Sequence, residues 1–318
     1  MNARSPGIFL AETKRTRSLC REHFEVTLAV DRFPDTTPGQ FLQVLCHAPQ
    51  HRAKAASTIS RAPPLRSSET PHPDLIARPM LRRPFSIAGL RRGATTCQID
   101  LIGRVIGAGT MWLSRLKPGD VVDILGPLGH GFIPPPPDGN VLLLAGGVGW
   151  PPIRWWGQIL RQRGVKCEAI CGAQTRDLLP IALCEKPCPQ GRFTLCGEEF
   201  SACGIPMMVT TDDGSCGMRG RVTDGLLRHL ARSDDLSRIS VCACGPEAML
   251  SAVAAICDRH GLPCQVAMER VMGCGMGTCQ SCVVPLRDAP WDEAWHYGLC
   301  CTDGPVFDAR RVFWRGTR

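Results

Sequence analysis

The chain has 318 residues, a length that predicts two or three domains. Its content of 44% hydrophobic and 21% charged residues is typical of a soluble globular protein. The net charge of +8 is dispersed along the chain and only 6% of the residues are aromatic, so the composition argues against a nucleic-acid-binding protein.

The sequence carries no obvious targeting segment. No apolar run is long enough to cross a membrane, and residues 1–20 lack the apolar core and cleavage site of a signal peptide. The nineteen cysteines are odd in number and scattered from Cys20 to Cys301, unlike a secreted disulfide framework. We therefore expect a cytoplasmic protein in which most cysteines are buried thiols.

The first part of the chain predicts a small antiparallel β-barrel over residues 1–137. Alternating apolar residues in 23–33 predict a strand with one buried face. Further strands are predicted at 38–46, "RPFSIAGL", "TTCQIDLIGRV" and "DVVDIL", with one short helix at "MWLSRLKPGD". Residues 47–75 are rich in Pro, Ser, Ala, Arg and His without an apolar period, and are predicted to form an exposed, partly disordered insertion.

The pattern changes over residues 138–263, which predict a parallel α/β domain. Continuous apolar runs such as "NVLLLAGGVG" and "KCEAICGA" are typical of strands buried on both faces. Helical segments such as "IRWWGQILRQRG" and "PEAMLSAVAAICDRHG" alternate with them, as in a parallel sheet with crossover helices. Residues 264–318 are expected to form a small cysteine-rich domain with little regular structure.

The segment "CGMGTCQSC" (274–282) carries the most specific motif. Its three cysteines have the C-x4-C-x2-C spacing of plant-type [2Fe–2S] proteins, and a further pair follows downstream: Cys274, Cys279, Cys282 and Cys300–Cys301. Gly275 and Gly277 permit the tight backbone path that lets N–H groups approach cluster sulfur. A zinc site would favour a second C-x2-C pair, which the sequence lacks, and a disulfide is unlikely to form in a reducing compartment.

Two segments of the predicted barrel are candidates for contact with phosphate. "RRPFSIAG" (82–89) is by itself a weak signal, since a strand with a surface arginine has the same pattern. Gly107-Ala-Gly109-Thr110 opens the predicted helix, where unpaired N–H groups and the helix dipole attract anions. The alternative for this second segment is a glycine-rich turn with Thr110 as a helix cap.

Two further segments follow buried strands of the α/β domain. Gly146, Gly147 and Gly149 stand between a strand and a helix, where glycine loops face dinucleotides, although the spacing is not G-x-G-x-x-G. "CACGPEAML" (242–250) likewise ends a strand, so that Cys244, Gly245 and Glu247 could line a pocket at the sheet edge. An isolated Cys244 would more often be a core residue.

The order of these motifs resembles the ferredoxin–NADP reductase superfamily. Arg-x-Phe-Ser, Gly-x-Gly-Thr, Gly-Gly-x-Gly-x-x-Pro and Cys-Gly-Pro follow one another, and "CGMGTCQSCVV" and "CTDGPVFDA" are appended. With these additions the chain resembles the family of electron transfer subunits of NAD-linked dihydroorotate dehydrogenases over roughly residues 23–312, apart from the insertion. The family ligand two residues before Asp-Gly-Pro corresponds to Cys301 rather than Cys300.

The resemblance implies FAD in the barrel and NAD on the α/β domain. The residues expected to contact FAD are Arg83, Pro84, Phe85, Ser86, Gly107, Gly109 and Thr110, with Arg83 on a phosphate and Phe85 and Ser86 against the flavin. Those expected to contact NAD are Gly146, Gly147, Gly149, Cys244, Gly245 and Pro246. Asp212 and Asp213 would lie at the adenosine end, where acidic residues favour NAD over NADP. Trp150-Pro151 departs from the small residues usual in the family.

The resemblance further implies an electron relay without acid–base catalysis in this chain. Electrons from the FMN of a dihydroorotate dehydrogenase catalytic subunit would pass through a [2Fe–2S] cluster, held by Cys274, Cys279, Cys282 and Cys301, and FAD to NAD, in a heterotetramer. A subunit of similar architecture serving a hydrogenase, a sulfite reductase or a ferredoxin:NADP reductase complex is the alternative. A flavin and cluster redox sensor without enzymatic activity is a third hypothesis.

Overall fold

The structure, a computed structural model, describes residues 6–47, 81–233, 235–290 and 292–314. All but the first residue of the insertion predicted at 47–75 lies outside this part of the chain. No helix among the described residues has both the length and the apolar character needed to span a membrane.

Six strands close an antiparallel barrel in the order β1-β2-β5-β4-β3-β6. Their bounds are Gly7–Cys20 (β1), His23–Asp31 (β2), Phe41–Val44 (β3), Arg83–Arg92 (β4), Thr96–Arg104 (β5) and Val121–Leu128 (β6). Helix α1, Ala108–Ser114, lies between β5 and β6 in the chain. Fully buried aliphatic side chains from four of the strands fill the interior: Leu28, Leu42, Ile99, Leu101 and Ile124. The predicted barrel is confirmed.

Strand β1 was not among the predicted strands. Exposed charged side chains interrupt its apolar positions, so Ala11 is its one apolar residue that is fully buried. It pairs with both β2 and β6 and thereby closes the barrel, which explains why so polar a segment is a strand.

Seven strands form the second layer in the order β10-β9-β8-β7-β11-β12-β15, all parallel except the last. The strands are Asn140–Gly146 (β7), Lys166–Ala173 (β8), Met207–Thr211 (β9), Met218–Arg219 (β10), Ile239–Cys244 (β11), Cys264–Ala267 (β12) and Val306–Asp308 (β15). The helices are Trp150–Gln162 (α2), Glu198–Ser201 (α3), Val222–Leu230 (α4) and Glu247–Arg259 (α5). The predicted parallel α/β domain is confirmed.

The cysteine-rich segment is an excursion between two strands of this sheet. It contains a small antiparallel pair, Val283–Leu286 (β13) with His296–Leu299 (β14). The chain then returns as β15, which pairs antiparallel with β12. The domain limit predicted from sequence at 263/264 therefore separates β12 and β15 from the sheet to which they are hydrogen-bonded. The limit predicted at 137/138 falls between β6 and β7.

A buried ionic network joins the barrel to helix α2. The Arg154 guanidinium lies 2.6 Å from Glu25 Oε1 and 3.2 Å from Asp100 Oδ2, and all three side chains are at most 7% exposed. Burial opposes the ionisation of Asp100, but hydrogen bonds from Arg91 and Thr27 outweigh it and hold the pKa of Asp100 below its usual value. The network fixes the barrel against helix α2 of the α/β domain.

Candidate cofactor-binding sites

The flavin motif lies on β4, next to β3 in the barrel wall. Arg83 is half-buried, and Pro84 and Ser86 pair with Gln43 and Phe41 of β3. Phe85 is 7% exposed and belongs to the barrel core, so its ring packs with the interior of the barrel. Contact of Phe85 and Ser86 with a flavin stays a prediction.

The glycine segment at 107–110 lies beside Arg83. A Cβ atom at Gly109 would stand 3.4 Å from Arg83 Cγ and 3.3 Å from Cys46 Cβ, so the two predicted phosphate contacts are neighbours. The hydroxyl of Thr110 accepts hydrogen bonds from the N–H groups of Ile106 (2.9 Å) and Gly107 (3.2 Å) and donates to the Gly107 carbonyl. Thr110 thus acts as a helix cap in this conformation. The groups that fit a pyrophosphate are the Arg83 cation and the open backbone at Gly107.

Three glycines at the sheet edge form a cradle too tight for side chains. A Cβ at Gly149 would stand 2.2 Å from the carbonyl oxygen of Cys244, and one at Gly146 would stand 2.5 Å from Met249 Sδ. A Cβ at Gly245 would stand 3.2 Å from the Cα of Gly146. The ends of β7 and β11 are therefore brought together as bare backbone, as close approach of a dinucleotide requires.

The other residues predicted at this edge surround the cradle. Cys244 is half-buried, and burial raises its pKa well above the usual thiol value, so it is a neutral thiol at physiological pH. Pro246 precedes helix α5. The indole of Trp150 is 1% exposed and packs edge-on against Phe200 with ring centroids 4.8 Å apart, within the core of the α/β domain. Trp150 therefore does not occupy the cradle.

The predicted adenosine end lies at the close of β9. Asp212 is exposed, and the Asp213 carboxylate accepts two hydrogen bonds from Ser215 that lower the pKa of Asp213. A cleft of about 330 Å³ opens beside this turn and includes Ser215. Arg176, Glu185 and Lys186 also line it, so charged side chains of both signs that the motif analysis did not identify stand in this cleft.

The four predicted ligands form two pairs of thiols. Cys274 Sγ accepts hydrogen bonds from the N–H groups of Met276 and Cys279, each at 3.4 Å. Cys282 and Cys301 are both buried in one apolar core, and Cys282 adds to the burial that raises the pKa of Cys301. In the described parts of the chain no three His, Cys, Asp or Glu side chains form a group that could hold one metal ion.

Two pairs fit a two-iron cluster better than a single metal ion. Each iron of a [2Fe–2S] cluster takes two thiolates, whereas structural zinc needs four ligands around one centre. The exposed Cys279 has its pKa lowered to about 6, chiefly by hydrogen bonds with Ser281, whose hydroxyl is 3.1 Å away. Burial raises the pKa of Cys301 to about 12, so that thiol is expected to lose its proton only to a bound metal.

The neighbouring Cys300 has a different environment. Its thiol donates to the carbonyl of Met268 at 3.4 Å, and its side chain is fully buried. Cys301 is also buried, and the nearby Cys282 adds to the effect of burial in raising the pKa of Cys301. The Cys300 thiol thus already has a partner within the protein, and Cys301 as the fourth ligand stays a prediction.

The segment 274–282, which we call the cluster loop, lies directly on β3, the barrel strand beside the flavin motif of β4. A Cβ at Gly275, whose φ is +76°, would stand 2.6 Å from Cγ of Gln43 on β3. Phe41, on the same face of β3, belongs to the apolar core that contains Cys282 and Cys301. Sequence analysis singled out neither Gln43 nor Ser281; a polar residue inside the apolar run "FLQV" was the only available signal for Gln43.

Comparison with known proteins identifies the cysteine-rich segment. The family model of the iron-sulfur cluster binding domain of dihydroorotate dehydrogenase B matches residues 269–313. The electron transfer subunit of dihydroorotate dehydrogenase B (NAD(+)) from Geobacillus kaustophilus is 39% identical over 238 residues, covering 74% of this chain and 81% of that protein. The subunit of that name from Lysinibacillus sphaericus is 33% identical over 290 residues, covering 89% of this chain and 90% of the relative.

Solved structures share the fold at lower identity. A chain from the NADH-dependent reduced ferredoxin-NADP oxidoreductase superposes with a TM-score of 0.70 at 24% identity, covering 96% of this chain and 90% of its own. The ferredoxin reductase of carbazole 1,9a-dioxygenase superposes with a TM-score of 0.58 at 17% identity, covering 83% of this chain and 68% of its own. Both show a ferredoxin–NADP reductase-like fold.

Proposed function

This chain belongs to the family of dihydroorotate dehydrogenase B (NAD(+)) electron transfer subunits. We propose that it takes electrons from the FMN of a dihydroorotate dehydrogenase catalytic subunit and passes them through a [2Fe–2S] cluster and FAD to NAD⁺, in pyrimidine biosynthesis. The two-electron oxidation of dihydroorotate belongs to the partner chain. We assign no general acid or base to this chain.

The observation that carries this proposal is the contact between the cluster loop and the flavin strands. Gly275 packs on Gln43 of β3, and Gln43 pairs with Pro84 in the flavin motif of β4. One strand thus separates the loop of the first ligand pair from the motif expected to hold FAD. A short separation suits electron transfer, because the two centres exchange electrons without an intervening domain movement.

The residues of the barrel would bind and orient FAD. FAD supplies two-electron exchange with a nicotinamide and one-electron exchange with an iron–sulfur cluster. Arg83 beside the 107–110 segment would hold the pyrophosphate by charge and backbone N–H groups. Ser86 would lie at the edge of the flavin that faces the nucleotide domain.

The α/β domain would bind NAD across its glycine cradle. The glycines at 146, 149 and 245 let the ends of β7 and β11 approach each other closely, and the nicotinamide end would lie at this edge beside the neutral Cys244 thiol. Asp212 supports NAD over NADP, because a carboxylate accepts a hydrogen bond from the ribose 2′-hydroxyl and repels a 2′-phosphate.

The partner is proposed to dock at the cluster loop. The side chain of Val271 is 85% exposed and that of Met276 is 54% exposed. Cys279, three residues after Met276, is also exposed. Exposed apolar side chains around a redox centre suit a protein interface that excludes water. We propose a heterotetramer with the FMN-containing subunit, located in the cytoplasm, where the nineteen free thiols would stay reduced.

The test is reconstitution of the anaerobically purified chain with an FMN-containing dihydroorotate dehydrogenase subunit. The chain alone is expected to show flavin absorbance, a [2Fe–2S] EPR signal on reduction and NADH-dependent dye reduction. The mixture is expected to reduce NAD⁺ with dihydroorotate. A chain that binds FAD but reduces no dye would support the redox sensor instead.

A cluster variant tests the electron route, and assays with alternative partner proteins test the identity of the partner. Cys301→Ser should abolish dihydroorotate-dependent NAD⁺ reduction while NADH-dependent dye reduction at the flavin persists. Ferredoxin, sulfite reductase and hydrogenase subunits serve as alternative partners in parallel assays. Full activity with one of these and none with the dihydroorotate dehydrogenase subunit would overturn the proposal.

A further inference from the structure

The side chain of Gln43 is a buried polar group with no hydrogen-bond partner among the described residues. It is 0% exposed, and neither Nε2 nor Oε1 has a donor or acceptor within reach. An unsatisfied buried amide costs about 1–3 kcal/mol. Such a group in a barrel wall calls for a partner that is not a protein side chain.

The position of Gln43 indicates where that partner lies. Leu42 belongs to the barrel core, and successive side chains of a strand point to opposite faces, so Gln43 faces outward from the barrel. The outward face here is covered by the cluster loop, where a Cβ at Gly275 would stand 2.8 Å from Gln43 Nε2. The amide is thus enclosed between β3 and the loop that begins with Cys274.

The backbone of Gln43 is held separately from its side chain. Its partner residue on β4 is Pro84, which has no N–H to donate. Arg82 instead directs Nη1 to the Gln43 carbonyl at 3.4 Å, while its Nη2 is paired with Asp123 at 2.8 Å. The strand is fixed, so the amide is presented at a defined place.

We propose that Gln43 is a positioning residue for the electron relay. Its Nε2–H group donates a hydrogen bond to a sulfur atom on the side of the cluster that Cys274 holds. This inference rests on the proposed function and adds to it a contact from the barrel, outside the cysteine-rich segment. Hydrogen bonds to cluster sulfur stabilise the more negative, reduced state and so raise the midpoint potential. Gln43 therefore makes the cluster a better electron acceptor.

The test is a redox titration of the full-length holoprotein, followed by EPR for the cluster and by absorbance for the flavin. Gln43→Met keeps the length of the side chain and removes the donor. We expect the cluster to be retained with a lower midpoint potential. One neutral hydrogen bond corresponds to up to about a tenfold change in the one-electron equilibrium, which is 59 mV.

Gln43→Glu is the second variant, because it preserves the shape of the side chain. Burial raises the pKa of a carboxyl at this position, so this variant is titrated at alkaline pH. The ionised carboxylate cannot donate and adds negative charge, so the cluster potential should fall further than in Gln43→Met. Leu42→Met is the matched control, since it changes the neighbouring side chain inside the barrel by a volume-conserving swap. Both potentials should stay unchanged in this control.

The outcomes distinguish the inference from the function on which it rests. An unchanged cluster potential in both Gln43 variants would overturn the role of Gln43 while leaving the relay intact. A shift of the flavin potential alone would also overturn it, because the amide would then bond FAD. A wild-type chain that binds no iron under anaerobic conditions would instead contradict the proposed function itself.

Discussion

Cys300 and Cys301 are adjacent in the chain, yet their thiols have different partners. The Cys300 thiol donates to the Met268 carbonyl at 3.4 Å, whereas Cys301 has Cys282 as the neighbour that, after burial, does most to raise its pKa. One backbone step therefore separates a core thiol from a candidate cluster ligand.

This difference predicts opposite outcomes for two matched serine variants. Cys301→Ser should lose most of the iron and the [2Fe–2S] EPR signal, because serine is a poor substitute for a thiolate on iron. Cys300→Ser should retain both, since a hydroxyl can still donate to Met268. Iron analysis and EPR check the pair; loss of the cluster only in Cys300→Ser would reverse the ligand assignment.

The glycine cradle predicts a nucleotide-binding defect for Gly149→Ala. The new methyl group would collide with the Cys244 carbonyl, which lies 2.2 Å from the Cβ position, and the loop must move. We expect at least about a tenfold rise in the KM for NADH in dye reduction, with FAD and cluster content unchanged.

The control for this variant is Gly225→Ala on helix α4. A Cβ there would stand 2.9 Å from Ile170, so it crowds a helix–sheet contact away from the cradle. It is expected to lower the free energy of unfolding by about 1–3 kcal/mol without changing the KM for NADH. An equal KM effect in both variants would attribute the defect to stability alone.

The acidic turn after β9 predicts a change in nucleotide preference. Asp212→Asn removes the charge that would repel a 2′-phosphate. The ratio of kcat/KM for NADPH to that for NADH should rise by roughly tenfold. The control is Asp235→Asn, which removes an exposed carboxylate that accepts hydrogen bonds from Ser237 and should leave the ratio unchanged.

The buried network at Arg154 predicts a large, pH-dependent loss of stability on substitution. Arg154→Met leaves Glu25 and Asp100 buried without one of their cations, which should cost about 3 kcal/mol in urea unfolding at neutral pH. The pKa of Asp100 is lowered in the fold, so its stabilising contribution is present above the unfolded value and is lost as pH falls through the folded value.

The wild type and Arg154→Met should therefore converge in stability only as the pH falls through the folded pKa of Asp100, which lies below its ordinary value of about 3.9. Arg104→Met is the matched surface control. Its guanidinium pairs with Glu22 at 2.7 Å, but both side chains are more than a third exposed, and the cost should be under about 1 kcal/mol. A difference that persists at low pH would assign the effect of Arg154 to packing.

The sequence predicted the elements whose signal is local. An apolar run ending in glycine predicted β7 and the turn after it, because that signal depends on residues close in the chain. Cysteine spacing likewise predicted three cluster ligands and the family resemblance the fourth, Cys301; that set stays a prediction. Strand β1 was missed because barrel closure, not its own pattern, makes it a strand. Gln43 and Arg154 were missed because their partners are distant in sequence, and no local pattern encodes such contacts.

The return of the chain through β15 closes one edge of the sheet. Val306–Asp308 covers the hydrogen-bonding edge of β12, and the segment that joins the two strands carries the cluster loop and the β13–β14 pair. Detachment of β15 would leave the β12 edge available to other chains. A substitution that weakens the β12–β15 pairing should therefore promote self-association of the protein.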